Sequence, residues 1–197
     1  MSIRQTTIGT SFVAALLLAG ATAFAQIQTM PGQPNSAPTN VDPSAPTFSA
    51  ADQSFVEDTL KGNETQVELS QLAQQKASSL DVKTFSQQMV QIHTQLNQQL
   101  APLAKQLQVD TNQKPSKPQK KVIAQLAQLS GSDFDTAYLQ AMGNEQARSL
   151  KQFRKEETAQ NAYIQKIAKT DEPVLSQHYQ TLQTLAQTHN VTIANVE

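Results

Sequence analysis

The sequence predicts an all-α protein, a bundle of four long helices with one long connection. Three observations carry this expectation. Leu, Ile, Val, Ala and Phe recur at alternating steps of three and four through four long segments, the period of a helix with one buried face. Aromatic residues make up only 5% and Gly is scarce, which suits thin helices packed through aliphatic side chains and suits a large β-sandwich poorly. Proline and small polar residues gather mostly between the periodic segments, where they favour loops.

Taken in order, residues 1–25 have the pattern of a secretory signal peptide. Arg4 supplies positive charge, Phe12 to Ala25 is a short apolar run, and Ala23-Phe24-Ala25 is a small-x-small cleavage site. Cleavage is expected after Ala25, giving a periplasmic or secreted protein. An uncleaved anchor is the rival reading, disfavoured because a span needs about 20 apolar residues. Residues 26–48 carry Pro31, Pro34, Pro38, Pro43 and Pro46 among small polar residues and are expected to be a disordered linker.

The bundle is expected over residues 50–187, followed by a tail, 188–197. The first helix starts near Ser49 or Asp52, with Asp52 a plausible N-cap, and runs to about Ser79. The second has the cleanest period, Val82, Phe85, Met89, Ile92, Leu96, Leu100, Leu103 and Leu107, with Asp81 available to cap it. Pro102 falls inside that pattern and is expected to kink the helix or end it early. A polar crossover with Pro115 and Pro118 leads to a short helix, Gln119 to Leu129, which stops at Ser130-Gly131. The third long helix carries Phe134, Ala137, Tyr138, Ala141, Met142, Leu150 and Phe153. The fourth runs from about Asn161 to Thr188, with Pro173 expected to bend or divide it. Two hairpins joined by one long crossover make the ferritin-like arrangement. A simple up-down-up-down bundle with a decorated loop is the runner-up.

Composition excludes several function classes. The chain has no cysteine, so disulfides, thiolate catalysis and cysteine metal sites are absent. Net charge is -1, so no global field favours nucleic acid. No phosphate-binding glycine loop, Gly-x-Ser-x-Gly or His-Glu-x-x-His occurs.

Ordered sets of residues carry a resemblance. Phe55-Val56, Val67-Glu68-Leu69-Ser70-Gln71-Leu72-Ala73, Val82-Lys83-Thr84-Phe85 and Met89-Val90-Gln91-Ile92-His93 come first; Leu129-Ser130-Gly131, Phe134-Asp135, Tyr138-Leu139, Met142 and Pro173-Val174-Leu175 with His178 follow. Together, over about residues 50–186, they resemble the exported bacterial family DUF4142. The resemblance implies a ferritin-like four-helix bundle, secreted or periplasmic, and no established activity. This chain departs from the family pattern where members tend to carry Asp-His. It has Ile92-His93 in the second helix and Glu145-Gln146 in the third, and Gln66 stands where a family Glu falls.

Gln66, His93, Glu145 and His178 each lie near the middle of their own helix, so they can share one level of the bundle. His178 sits on an apolar stripe with Ile164, Ile167, Ala168, Val174, Leu175, Leu182 and Leu185. Buried polar groups at one level either satisfy one another or bind something. The plainer expectation is a hydrogen-bonded polar layer. The sharper one is a single transition metal held by His93, Glu145 and His178. A di-iron centre is not expected, because it needs Glu three residues before each His and those positions are Val90 and Leu175. Three functions follow: a non-enzymatic binding or stress-related envelope protein, first; a mononuclear metal protein; and a module that assembles with a protein partner or with itself.

Overall fold

The computed structural model describes residues 47–196, so the expected signal peptide and nearly all of the linker lie outside the described residues. Five helices follow in order: α1 (Ala50–Lys76), α2 (Leu80–Gln106), α3 (Lys117–Leu126), α4 (Gly131–Glu156) and α5 (Ala162–Thr188). Side-chain contacts fix their directions. Phe55 meets Phe153 edge-on at 5.2 Å, while Ser70 bonds Tyr138 at 3.0 Å, so α1 and α4 are antiparallel. The short turns from α1 to α2 and from α4 to α5 make each pair a hairpin. The connection 107–130, with α3 in it, therefore runs back along the bundle, which is the ferritin-like topology.

Three helix starts, those of α1, α3 and α5, are capped by residues of their own segment. Ser49 and Asp52 form a reciprocal capping box on α1, so Ser49 is the N-cap and Asp52 its third-position partner. Ser116 and Gln119 do the same for α3, which begins two residues earlier than expected. Asn161 caps α5 through the amides of Tyr163 and Ile164. Helix α2 is capped from outside. The buried Asp135 carboxylate of α4 accepts from the amides of Ser78 and Ser79, each at 3.0 Å, and from the Ser78 hydroxyl. Asp81, the expected cap, bonds only its neighbour Val82 in this way and otherwise meets His189.

Neither internal proline ends its helix. Pro102 and Pro173 both lie on exposed faces of their helices, away from the core contacts. Buried Leu100, Leu103 and Leu175 beside them keep the helices packed. Two helix ends close on left-handed residues. Gln108 and Asn190 have φ near +57° and +56°, and the next amides bond back to Ala104 and Ala186 at 2.8 Å.

The core divides into two apolar clusters. One gathers Phe55, Leu60, Leu103, Leu150, Phe153 and Ile164. The other gathers Leu69, Phe85, Met89, Phe134, Tyr138 and Leu182. Both ends of the expected domain extend further than the periodicity suggested. Phe48 packs on the first cluster, and the Thr47 carbonyl accepts from Asn161. Val191, Ile193, Ala194 and Val196 fold back against the bundle. Ile193 crosses α4 at Gly143, where an added Cβ would stand 2.6 Å from the isoleucine's Cβ. Val174, placed on the apolar stripe by spacing, is exposed instead.

Candidate functional site

A layer of polar side chains separates the two apolar clusters. It is built by substitution within each buried stripe. In α2 the stripe runs Phe85, Met89, His93; in α4 it runs Tyr138, Met142, Gln146, Leu150; in α5 it runs Leu175, His178, Leu182. Asn63 and Gln66 enter from α1. Helical spacing of three and four thus places a polar group where each helix would otherwise bury an aliphatic one.

Of the residues expected at one level, the structure brings His93 and His178 together, with ring centroids 6.5 Å apart and planes at 65°. Gln66 is fully buried in α1, and both atoms of its amide lack a partner. Glu145 points elsewhere. Its carboxylate accepts from Gln119 of α3 at 2.9 Å and from Arg148 at 3.1 Å. The residue that faces α2 is its neighbour Gln146, whose Nε2 donates to the Met89 sulfur at 3.3 Å. Adjacent helical residues project about 100° apart, so a shift of one position moves a side chain to another interface. The Met142-Gln146-Leu150 spacing was the signal for Gln146. The Leu60-Asn63-Val67 spacing was the signal for Asn63, which sequence reasoning did not place in the layer. Among the described residues, no three His, Cys, Asp or Glu side chains converge as a metal site would need.

The electrostatics of the layer follow from burial. Loss of water drives the pKa of His93 down to about 3, with His178 nearby adding to the effect. Burial lowers His178 as well. Both rings are therefore neutral at pH 7, each with one N–H and one lone pair. The Asn63 amide oxygen lies 2.9 Å from His93 Nδ1, and its Nδ2 donates to Asn97 at 2.9 Å. That arrangement puts the His93 proton on Nδ1 and leaves Nε2 as a bare lone pair. His93 Nε2, His178 Nδ1 and Gln146 Oε1 are all buried without a hydrogen-bond partner.

The layer opens on one side. Helix α1 packs closely on α2 and α4, and α4 on α5, but the backbones of α2 and α5 hardly approach. A cleft of about 240 Å³ lies between them, walled by Leu96, Leu100, Ile167 and Leu175. Asn63, the partner of His93, also lines it. Asp171 lines it too, and partial burial raises its pKa. Nearer the other end, His189 Nε2 lies 3.0 Å from an Asp81 carboxylate oxygen, and the His189 side chain is only partly exposed.

The family model of DUF4142, a domain of unknown function, matches residues 37–185. The chain belongs to the DUF4142 family. No curated protein matches it. Among solved structures it is similar to a DUF305 protein from Streptomyces coelicolor, named as a candidate secreted protein, at 12% identity and a TM-score of 0.62. The likeness covers 75% of this chain and 96% of that one, and at that identity it speaks for the helical-bundle fold alone. No described helix of the DUF4142 chain is long and apolar enough to cross a membrane.

Proposed function

We propose that this DUF4142 protein is an exported, non-enzymatic binding protein, and that binding takes place in the cleft between α2 and α5. The observation that supports this most is the cleft itself. Three helix pairs of the bundle pack closely and the fourth does not, and the gap is mainly apolar with the amide of Asn63 and the carboxylate of Asp171 at its polar edge. A small apolar-walled cleft with a few polar groups suits a small molecule with one polar end. Export is supported by the charged, apolar and small-x-small order of residues 1–25. The absence of a recognisable catalytic set among the sequence motifs fits binding without turnover.

The apolar dye anilinonaphthalene sulfonate tests the cleft. Its fluorescence is expected to rise on the folded protein and to fall back in Leu96→Trp, where the indole fills the gap. A signal equal in both proteins places the dye elsewhere and removes this reading. Export is checked by the mass of protein recovered from the periplasm of an expressing bacterium, which is expected to begin at Gln26.

A further inference from the structure

We propose that His93, His178 and Met89 form a binding site for one soft monovalent metal ion, copper(I). The inference does not rest on the cleft as a small-molecule site, because it uses different atoms of the same seam. Four observations lead to it.

The first is the pair of lone pairs. Asn63 holds the proton of His93 on Nδ1, so Nε2 is an available base inside the core, and His178 Nδ1 is likewise buried without a partner. Histidines that ligate metals commonly give their other N–H to an oxygen acceptor, as His93 does here. The second is distance. A ring centroid lies about 3.2 Å from an ion bound to its nitrogen, from a bond of about 2.0–2.1 Å plus roughly 1.1 Å within the ring. Two imidazoles on one ion therefore have centroids up to about 6.4 Å apart, reached only when the ion lies nearly in line between them. The rings stand 6.5 Å apart, at the upper end of that span, so an ion held by both would have to lie nearly in line between them. Copper(I) accepts that arrangement, whereas zinc wants a tetrahedron.

The third is charge. The side chains gathered in the layer, Asn63, Gln66, His93, Gln146 and His178, are all neutral, and the Glu145 carboxylate is committed to Gln119 and Arg148. The cost of removing an ion from water grows as the square of its charge, so a divalent ion costs about four times as much as a monovalent one with nothing to neutralise it. The fourth is a soft third ligand. Met89 lies one turn before His93 on the same face of α2, and its sulfur is already within the layer, 3.3 Å from Gln146 Nε2. Thioether sulfur selects copper(I). The partly exposed ring of His178 gives an entry path along the α2–α5 seam.

The test is anaerobic titration of the full chain with copper(I) against the chromophoric chelator bicinchoninate. One ion per chain is expected to be withdrawn from the chelator, with zinc(II) unable to displace it. Met89→Leu, nearly the same volume, is expected to weaken binding by about tenfold. His178→Leu, which continues the stripe of Leu175 and Leu182, is expected to abolish it. X-ray absorption of the copper-loaded protein is expected to show two nitrogen neighbours and one sulfur, with the sulfur lost in Met89→Leu. Silver(I), an air-stable surrogate, is expected to raise the melting temperature of the wild type and not that of His178→Leu. The proposal is overturned if the chain withdraws no copper(I), if zinc(II) competes equally, or if His178→Leu binds as the wild type does.

Discussion

Two interfaces of the same bundle contrast sharply: α1 against α4, and α2 against α5. Where α1 crosses α4, small residues let the backbones close. Gly62 faces Ser149, and Ser70 meets the Tyr138 hydroxyl in a buried hydrogen bond. Across the other seam the facing side chains are long or ringed, among them His93, Leu96 and Leu100 against Tyr163, Ile167 and His178. They hold α2 and α5 apart, and neither set is long enough to fill the gap it makes. The contrast shows how one fold can place a rigid half beside a half that leaves room for a ligand. Stability is expected to concentrate in the first interface and binding in the second.

The largest expected effect concerns pH. Because His93 is held near a pKa of about 3 in the fold and titrates near 6.5 when unfolded, only the unfolded chain takes up the proton between those values. The metal-free protein is therefore expected to keep its full stability above pH 6.5 and to lose it progressively as pH falls toward 3, by up to roughly 5 kcal/mol. Urea titrations at stepped pH check this, and His93→Gln should flatten the slope. A slope that survives the substitution in full would assign the effect to His178 and the carboxylates instead.

Next in size is the junction of the two hairpins. Asp135→Ala strips the cap from α2 and strands the Ser78 and Ser79 amides, with an expected loss of about 3–4 kcal/mol. In the seam, Leu96→Ala is expected to cost no more than about 1–2 kcal/mol, because Leu96 is only partly buried beside a gap that already exists. Chemical denaturation of the two variants side by side measures the contrast, and equal losses would erase it.

The smallest effect has the opposite sign. Gln66 has both amide atoms buried without partners, so Gln66→Leu is expected to stabilise the protein by about 1–2 kcal/mol. A loss of stability on that substitution would show that the amide is satisfied in solution.

Much of the scaffold was legible because helical periodicity is a local property. The stripe from Val82 to Leu107 describes α2 almost to its last residue, and the long connection between α2 and α4 announced the crossover. At Pro102 and Pro173 local signals left an early end open, and it does not occur, because neighbouring buried leucines carry the helix past a missing hydrogen bond. Local signals misled at the start of α2, since a cap supplied by Asp135, more than fifty residues away, leaves no trace at Ser79. In the candidate site, the heights of His93 and His178 were readable from the chain, but Glu145 and Gln146 share a height and differ only in direction.

The sequence alone determined the helices, their buried faces, the order of their connections and the presence of polar groups midway along them, because each depends on spacing within one segment. Only the tertiary structure decided which of those groups meet. It turned Glu145 toward α3 and Gln146 toward Met89, fixed the His93 proton through Asn63, and opened α2 from α5. Those outcomes depend on how helices rotate and approach one another, which is set by the size of side chains on both partners at once.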